Sequence, residues 1–297
     1  MAEKTGGSGS DVGIFIIIFC ILVAGLATGS GFAGSLQNKS SENQNSESSS
    51  QNLSSTEKVQ QEKDSARLKS IGTLSPLSKY FSLRTGRVSN NNPNQEYLEL
   101  NLSSNAPNKV LITGFNIKSG ITGRGTAIGK AVYKPYSSLE NLEEPIFLSP
   151  GDKVYIVSGK SPVGYSFRVN KCSGFFGQAQ NYTPSLYNEC PLPTEEILPN
   201  FGANNRNACL NYLERLGRCQ IPNPDFQTSL EIGSDCVSYV TNEIGYGACV
   251  DNHGSDNDFY RHEWRVHLKQ PETLWQSQRE LIKLVDQNGQ TVAYTEY

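Results

Sequence analysis

The chain lacks the short signatures that announce most enzymes. Neither Gly-x-Ser-x-Gly nor His-Glu-x-x-His occurs, so it has neither the nucleophile elbow of serine hydrolases nor a zincin helix. No two cysteines stand as Cys-x-x-Cys, which removes the usual zinc and thioredoxin-like spacings. The one glycine-rich stretch, "GRGTAIG" (Gly123–Gly129), misses the dinucleotide pattern by a residue and the Walker pattern by its lysine. Strand-like sequence surrounds it, so no helix dipole stands behind it to hold a phosphate, and a β-turn leading into a strand is expected. Charge of one sign is also missing. Lys and Arg number 26 against 29 Asp and Glu, interspersed, for a net charge of −3. A nucleic-acid partner has no basic field to meet, and no acidic tail is offered to a basic one. Hydrophobic residues make up only 36% of the chain, which implies that part of its 297 residues belongs to no core.

Long apolar runs are scarce too, with one exception. "GIFIIIFCILVAGLATGSGFAGSL" (residues 13–36) carries no charge and is long enough to cross a hydrocarbon layer of roughly 30 Å. Gly31 and Ala33 also suit a signal-peptidase cut, but the leader before the run holds one lysine and two acids, a poor basic start for a signal peptide. An uncleaved single-span anchor is therefore expected, with residues 1–12 cytoplasmic and the C-terminal domain extracytoplasmic. Residues 37–75 read as a disordered stalk, because "QNKSSENQNSESSSQNLSS" has almost nothing to bury. Within it "TEKVQQEKDSARLKS" (56–70) suits either a short exposed helix or solvated linker.

Apart from Cys20 in the apolar run, the cysteines are Cys172, Cys190, Cys209, Cys219, Cys236 and Cys249. An even set beyond an export segment predicts three disulfides in an oxidising compartment, with fifteen pairings open to six cysteines. Around them the pattern is helical. "NACLNYLERLGRC" and "GSDCVSYVTNEIG" space Leu210, Leu213 and Leu216, and Val237 and Val240, at helical intervals behind the cap-like residues Asn207 and Ser234-Asp235.

Outside that window the period is two. In "EYLELNL", Leu98, Leu100 and Leu102 share one face; "KVLITGFNIKS" and "DKVYIVSG" read as buried strands. "ELIKLVDQNGQTVAYTEY" predicts a hairpin around Asn288-Gly289. In "YRHEWRVHL" the face of Tyr260, His262, Trp264, Val266 and Leu268 is expected in the core, with Trp264 at its centre. Arg261, Glu263, Arg265, His267 and Lys269 form the expected solvated face, which splits His262 from His267.

The stretches "EYLELNLSSNAPNKVLITGFNIKS", "GDKVYIVSG" and "RELIKLVDQNGQTVAYTEY" together resemble a bacterial lamin-tail-like domain over most of residues 78–159 and 260–297. The family's usual Trp after the glycine is Phe115 here, and an insertion of about a hundred residues interrupts the pattern. The resemblance implies an immunoglobulin-type sandwich used for adhesion or scaffolding, with no catalytic residues to carry over.

The expected protein is mainly β: an immunoglobulin-like β-sandwich over residues 76–297 with a helical, disulfide-rich insertion at about 160–258, preceded by one transmembrane helix and a disordered linker. It is read as a membrane-anchored binding or structural module, not an enzyme, with no cofactor. The partners are the membrane and a cell-envelope protein or polysaccharide. The competing possibility is an envelope hydrolase with its site on the insertion. No metal is expected, but the loop "DNHGSDND" gathers Asp251, His253, Asp256 and Asp258 as candidate ligands for a hard cation, although the EF-hand order fails.

Overall fold

A computed structural model describes residues 55–88, 91–136, 141–275 and 278–297. The expected anchor (13–36) and the first part of the expected stalk lie outside the described residues; among those described, no helix is long and apolar enough to cross a membrane. Residues Ser55–Ile71 form a helix, α1, in which ten of seventeen residues are the good helix formers Glu, Lys, Gln, Ala, Arg and Leu. A Gln60–Asp64 hydrogen bond (3.0 Å) links successive turns, with Glu57 in the first turn and Lys69 in the last to suit the dipole. Its final turn is tied down. Arg67 pairs with Glu296 at 2.9 Å, and the Ile71 carbonyl accepts from Thr291 Oγ1 at 2.6 Å.

The strands in chain order are β1 (Phe81–Arg87), β2 (Tyr97–Leu102), β3 (Val110–Leu111), β4 (Asn116–Ser119), β5 (Gly125–Ala127), β6 (Ala131–Val132), β7 (Glu143–Glu144), β8 (Phe147–Leu148), β9 (Lys153–Val157), β10 (Phe167–Asn170), β11 (Tyr260–His267), β12 (Leu281–Val285) and β13 (Thr291–Glu296). They build a seven-stranded sheet ordered β1-β2-β9-β11-β10-β6-β7, a four-stranded sheet ordered β13-β12-β4-β5, and the small β3-β8 pair. The larger sheet is mixed: β11 runs parallel to β9, and β10 parallel to β6. The alternation in β2 holds, with Leu98, Leu100 and Leu102 at most 2% exposed. They join Val154, Ile156, Trp264 and Val266 of the same sheet, and Ile117, Ile282 and Val292 of the other, in one apolar core. Each such side chain contributes roughly 1.5–3 kcal/mol by leaving water.

One local expectation changes and another holds. "KVLITGFNIKS" is not one strand. A turn closed by Phe115 N–H donating to the Ile112 carbonyl (3.0 Å) divides it into β3 and β4, which lie in different sheets. The hairpin after β12 forms where Asn288-Gly289 predicts it. Its turn is closed by Gly289 N–H donating to the Asp286 carbonyl (3.0 Å), and Gly289 takes φ +79°, a conformation open to glycine at little cost.

The larger correction concerns β11. Trp264 is fully buried, as expected, with Tyr133 edge-on at 4.8 Å. The opposite face is not solvated: Glu263, Arg265 and His267 are 6%, 1% and 7% exposed. Arg265 donates to the carbonyls of Pro184 and Ser185, stacks on the Tyr155 ring at 4.5 Å, and pairs with Glu263 at 2.7 Å. The two strand histidines exchange the environments expected of them. His262 exposes 70% of its side chain and bonds the buried Asp152 carboxylate through Nδ1 at 2.7 Å, whereas His267 is enclosed. A charged face can be buried when another part of the chain supplies partners, and here the Pro184 and Ser185 carbonyls do so for Arg265.

That cover belongs to the insertion, which begins later than expected. Residues 160–164 make a turn, and Phe167–Asn170 is β10, paired with β11, so the insertion proper starts at about residue 171. It is a cap of five helices: α2 (Phe176–Ala179), α3 (Arg206–Glu214), α4 (Phe226–Ile232), α5 (Ser234–Glu243) and α6 (Tyr246–His253). Three disulfides staple it. Cys172–Cys249 ties its start to α6, Cys190–Cys219 joins the segments on either side of α3, and Cys209–Cys236 links α3 to α5. Gly174 lies so close to the second bridge that a Cβ there would meet Cys219 Sγ at 2.2 Å. The half-cystines pack with Phe175, Phe201, Leu213, Val240 and Phe259 in a core of the cap's own. The chain is thus sheet-rich, with helices and three disulfides.

Candidate functional site

The loop that gathers the candidate ligands follows α6. His253 is the last residue of that helix, where free carbonyls favour a cation. Its Nδ1 lies 2.8 Å from Asp256 Oδ2, and its Nε2 lies 2.7 Å from Oε1 of Glu196, a residue 57 positions upstream. A neutral imidazole has one donor and one acceptor nitrogen, so two carboxylate partners call for the doubly protonated ring. Burial alone would lower the His253 pKa, but the bonds to Glu196 and Asp256 outweigh it and raise the pKa above the ordinary histidine value. Lys171 completes the cluster, with Nζ 2.8 Å from Asp256 and 2.7 Å from Asp258. Its hydrogen bond holds both carboxyls below the usual carboxylate range, and His253 adds to this at Asp256.

Three of the four candidate ligands therefore come together, but around an ammonium group. Asp251 stays exposed on α6 and takes no part. Among the described residues, no group of three or more His, Cys, Asp or Glu is arranged to hold a metal ion. Glu196 and Lys171 carry no local signal of this role. Their partners lie 57 and 85 positions away, and only the folded cap brings them in.

The cluster forms one wall of a groove of about 830 Å³, whose other walls include Glu195, Ile197, Leu198, Tyr239 and Glu243. Glu195 is held by Arg218 at 2.8 Å and accepts from the Leu192 N–H at 2.9 Å, and both interactions lower its pKa. A second concavity of about 490 Å³ lies where the cap meets the 160–165 turn. It is lined by Tyr136, Tyr165, Phe176, Ile221 and Tyr246, with the Phe176 and Tyr246 rings stacked at 4.2 Å.

Chemically, the groove suits binding better than proton transfer. His253 has a carboxylate on each nitrogen, so it can take no proton from a substrate without breaking a pair. Glu195 and Asp256 are pushed toward the anion, whereas a general acid at neutral pH needs the opposite shift. What remains is a concave anionic surface with apolar walls. Comparison with protein-family models and with curated protein sequences returns no match.

Proposed function

We propose that this chain is a membrane-anchored, extracytoplasmic binding or structural module without catalytic activity. Residues 13–36 are its single span, the sheet unit is an immunoglobulin-type sandwich of the bacterial lamin-tail-like kind, and the cap faces the partner. Three buried disulfides suit an oxidising compartment. Two facing sheets around one aliphatic core suit the sandwich. The observation that carries the functional part is the pairing in the groove: His253, Glu196, Asp256 and Glu195 are all held by partners within 2.8 Å, which makes a rigid recognition surface. The partner is a component of the cell envelope.

A hydrolase reading has one observation in its favour, a histidine of raised pKa in a carboxylate-lined groove. Incubating the purified full chain with isolated bacterial envelopes separates the two. A binding module co-sediments saturably and releases no soluble sugar or peptide. Release of fragments that disappears with His253→Gln would replace the module with an enzyme.

A further inference from the structure

The buried side of α5 presents Cys236 and Val240 to the cap core. Its outer side is a stripe of short, uncharged residues, Ser234, Ser238, Thr241 and Asn242, all exposed. Depressions flank this stripe on both sides and meet at Ser238 and Asn242. One is the groove already described; the other, about 520 Å³, lies toward α4. Large apolar side chains stand open along both: Ile197 is 98% exposed beside the groove, and Phe226 and Leu230 are 79% and 61% exposed at the other depression. Three such side chains around one helix face form a patch that gains from being covered.

Charge indicates what covers it. Glu195, Glu196, Asp235, Glu243 and Asp256 line the groove against one cation, the His253 imidazolium, and no Lys or Arg lines either depression among the described residues. The imbalance extends beyond the rim. Residues 171–258 hold eleven Asp and Glu against four Lys and Arg, whereas the whole chain holds 29 against 26. The cap is the acidic end of a molecule that is otherwise slightly basic. Nucleic acid, anionic glycan and phosphate headgroups are repelled by such a surface, and a neutral glycan makes no use of its charge.

We infer that the outer face of α5, between Ile197 and the Phe226–Leu230 pair, docks a basic amphipathic segment of a partner protein. Apolar side chains of that segment cover the three exposed hydrophobes, and its Lys or Arg side chains meet the carboxylate rim. The bonds from His253 to Glu196 and from Arg218 to Glu195 hold that part of the rim in place before the partner arrives. The inference rests on the binding-module proposal above.

The test uses the full chain in zwitterionic lipid nanodiscs, with empty discs as the blank, and fluorescence anisotropy of short labelled peptides. One peptide alternates Lys or Arg with Leu; its counterpart replaces every basic residue by Glu. Saturable binding of the basic peptide alone is expected, weakening about tenfold or more as salt is raised. Asp235→Lys with Glu243→Lys should transfer the preference to the acidic peptide. Phe226→Ser with Leu230→Ser should weaken binding of the basic peptide by a similar factor. All four residues are exposed, and an unchanged melting temperature checks that the variants fold. Equal binding of both peptides, indifference to both double variants, or self-association of the chain through this face would overturn the inference. Cleavage of the bound peptide would overturn the binding-module proposal itself.

Discussion

The sheet unit and the cap hold themselves together by different means. Buried aliphatic side chains and two tryptophans make the sheet core, and no cysteine belongs to it. In the cap, six of the sixteen buried core residues are half-cystines, so reducing agent acts on that core directly. Residues 171–205 hold little regular helix, and cross-links reduce the ordering entropy of such a stretch at its source. The two units are nonetheless not independent. The cap's Pro184 and Ser185 cover Arg265 on the outer face of β11, where Tyr155, Glu263 and His267 are buried as well. That seal is the central structural claim, and each unit can be perturbed to test it.

The largest expected effect is in the sheet core. Trp264→Ala empties a fully buried site, removes the edge contact with Tyr133 and leaves Asp152 short of a donor. Denaturant unfolding should show a loss of about 3–5 kcal/mol, spread over the whole sheet unit. A loss below about 1 kcal/mol would mean that the core does not depend on this ring.

Next comes the bridge that closes the cap. Cys172 and Cys249 are 77 residues apart, while the other two bridges span 29 and 27. Replacing both Cys172 and Cys249 by Ala should cost about 4 kcal/mol on the loop-entropy account, more than removing either shorter bridge. Hydrogen exchange should rise in the cap and along β11 while β12 and β13 stay protected. Uniform loosening of both sheets would show that the cap and the sheet unit fold as one block.

The smallest of these effects separates two histidines by sign. The folded pKa of His253 is raised, so its pairs with Glu196 and Asp256 contribute stability that is present below the unfolded value near 6.5 and lost as pH rises through the folded value. His253→Gln should remove about 1 kcal/mol or less at pH 6 and less still at pH 9, read from the local opening of α6 by hydrogen exchange. A loss that grows with pH would contradict the imidazolium assignment.

The sequence made the inward faces legible and the outward cover invisible. Leu98, Leu100, Leu102, Trp264 and Val266 alternate with polar residues, and period two is a local signal that the pleat of a strand must obey. Gly289 marked its turn for the same local reason. Glu263, Arg265 and His267 looked solvated because charge ordinarily marks the wet face. For Arg265 the shelter comes from the Pro184 and Ser185 carbonyls, about eighty positions away, and no spacing rule connects them. The candidate loop was half legible. Asp256, Asp258 and His253 do converge, but Lys171 and Glu196, which decide what the cluster is, reach it only through the fold of the cap.

His267 offers the most direct measurement of the seal. In the folded chain burial first, and then the Arg265 charge, lower its pKa to about 3, against a weak opposing contribution from the Lys160 backbone. Neither ring nitrogen has a well-formed hydrogen bond. Stability tied to this group is complete above about pH 6.5 and falls, by about 1.4 kcal/mol per pH unit, as pH drops toward the folded value. The test is to follow its ring carbon resonance by NMR in the oxidised full chain, assigned with His267→Leu. A sealed outer face of β11 keeps this ring neutral down to about pH 3. An ordinary titration near pH 6.5 in the folded, oxidised chain would mean that water reaches this face and that it is not sealed.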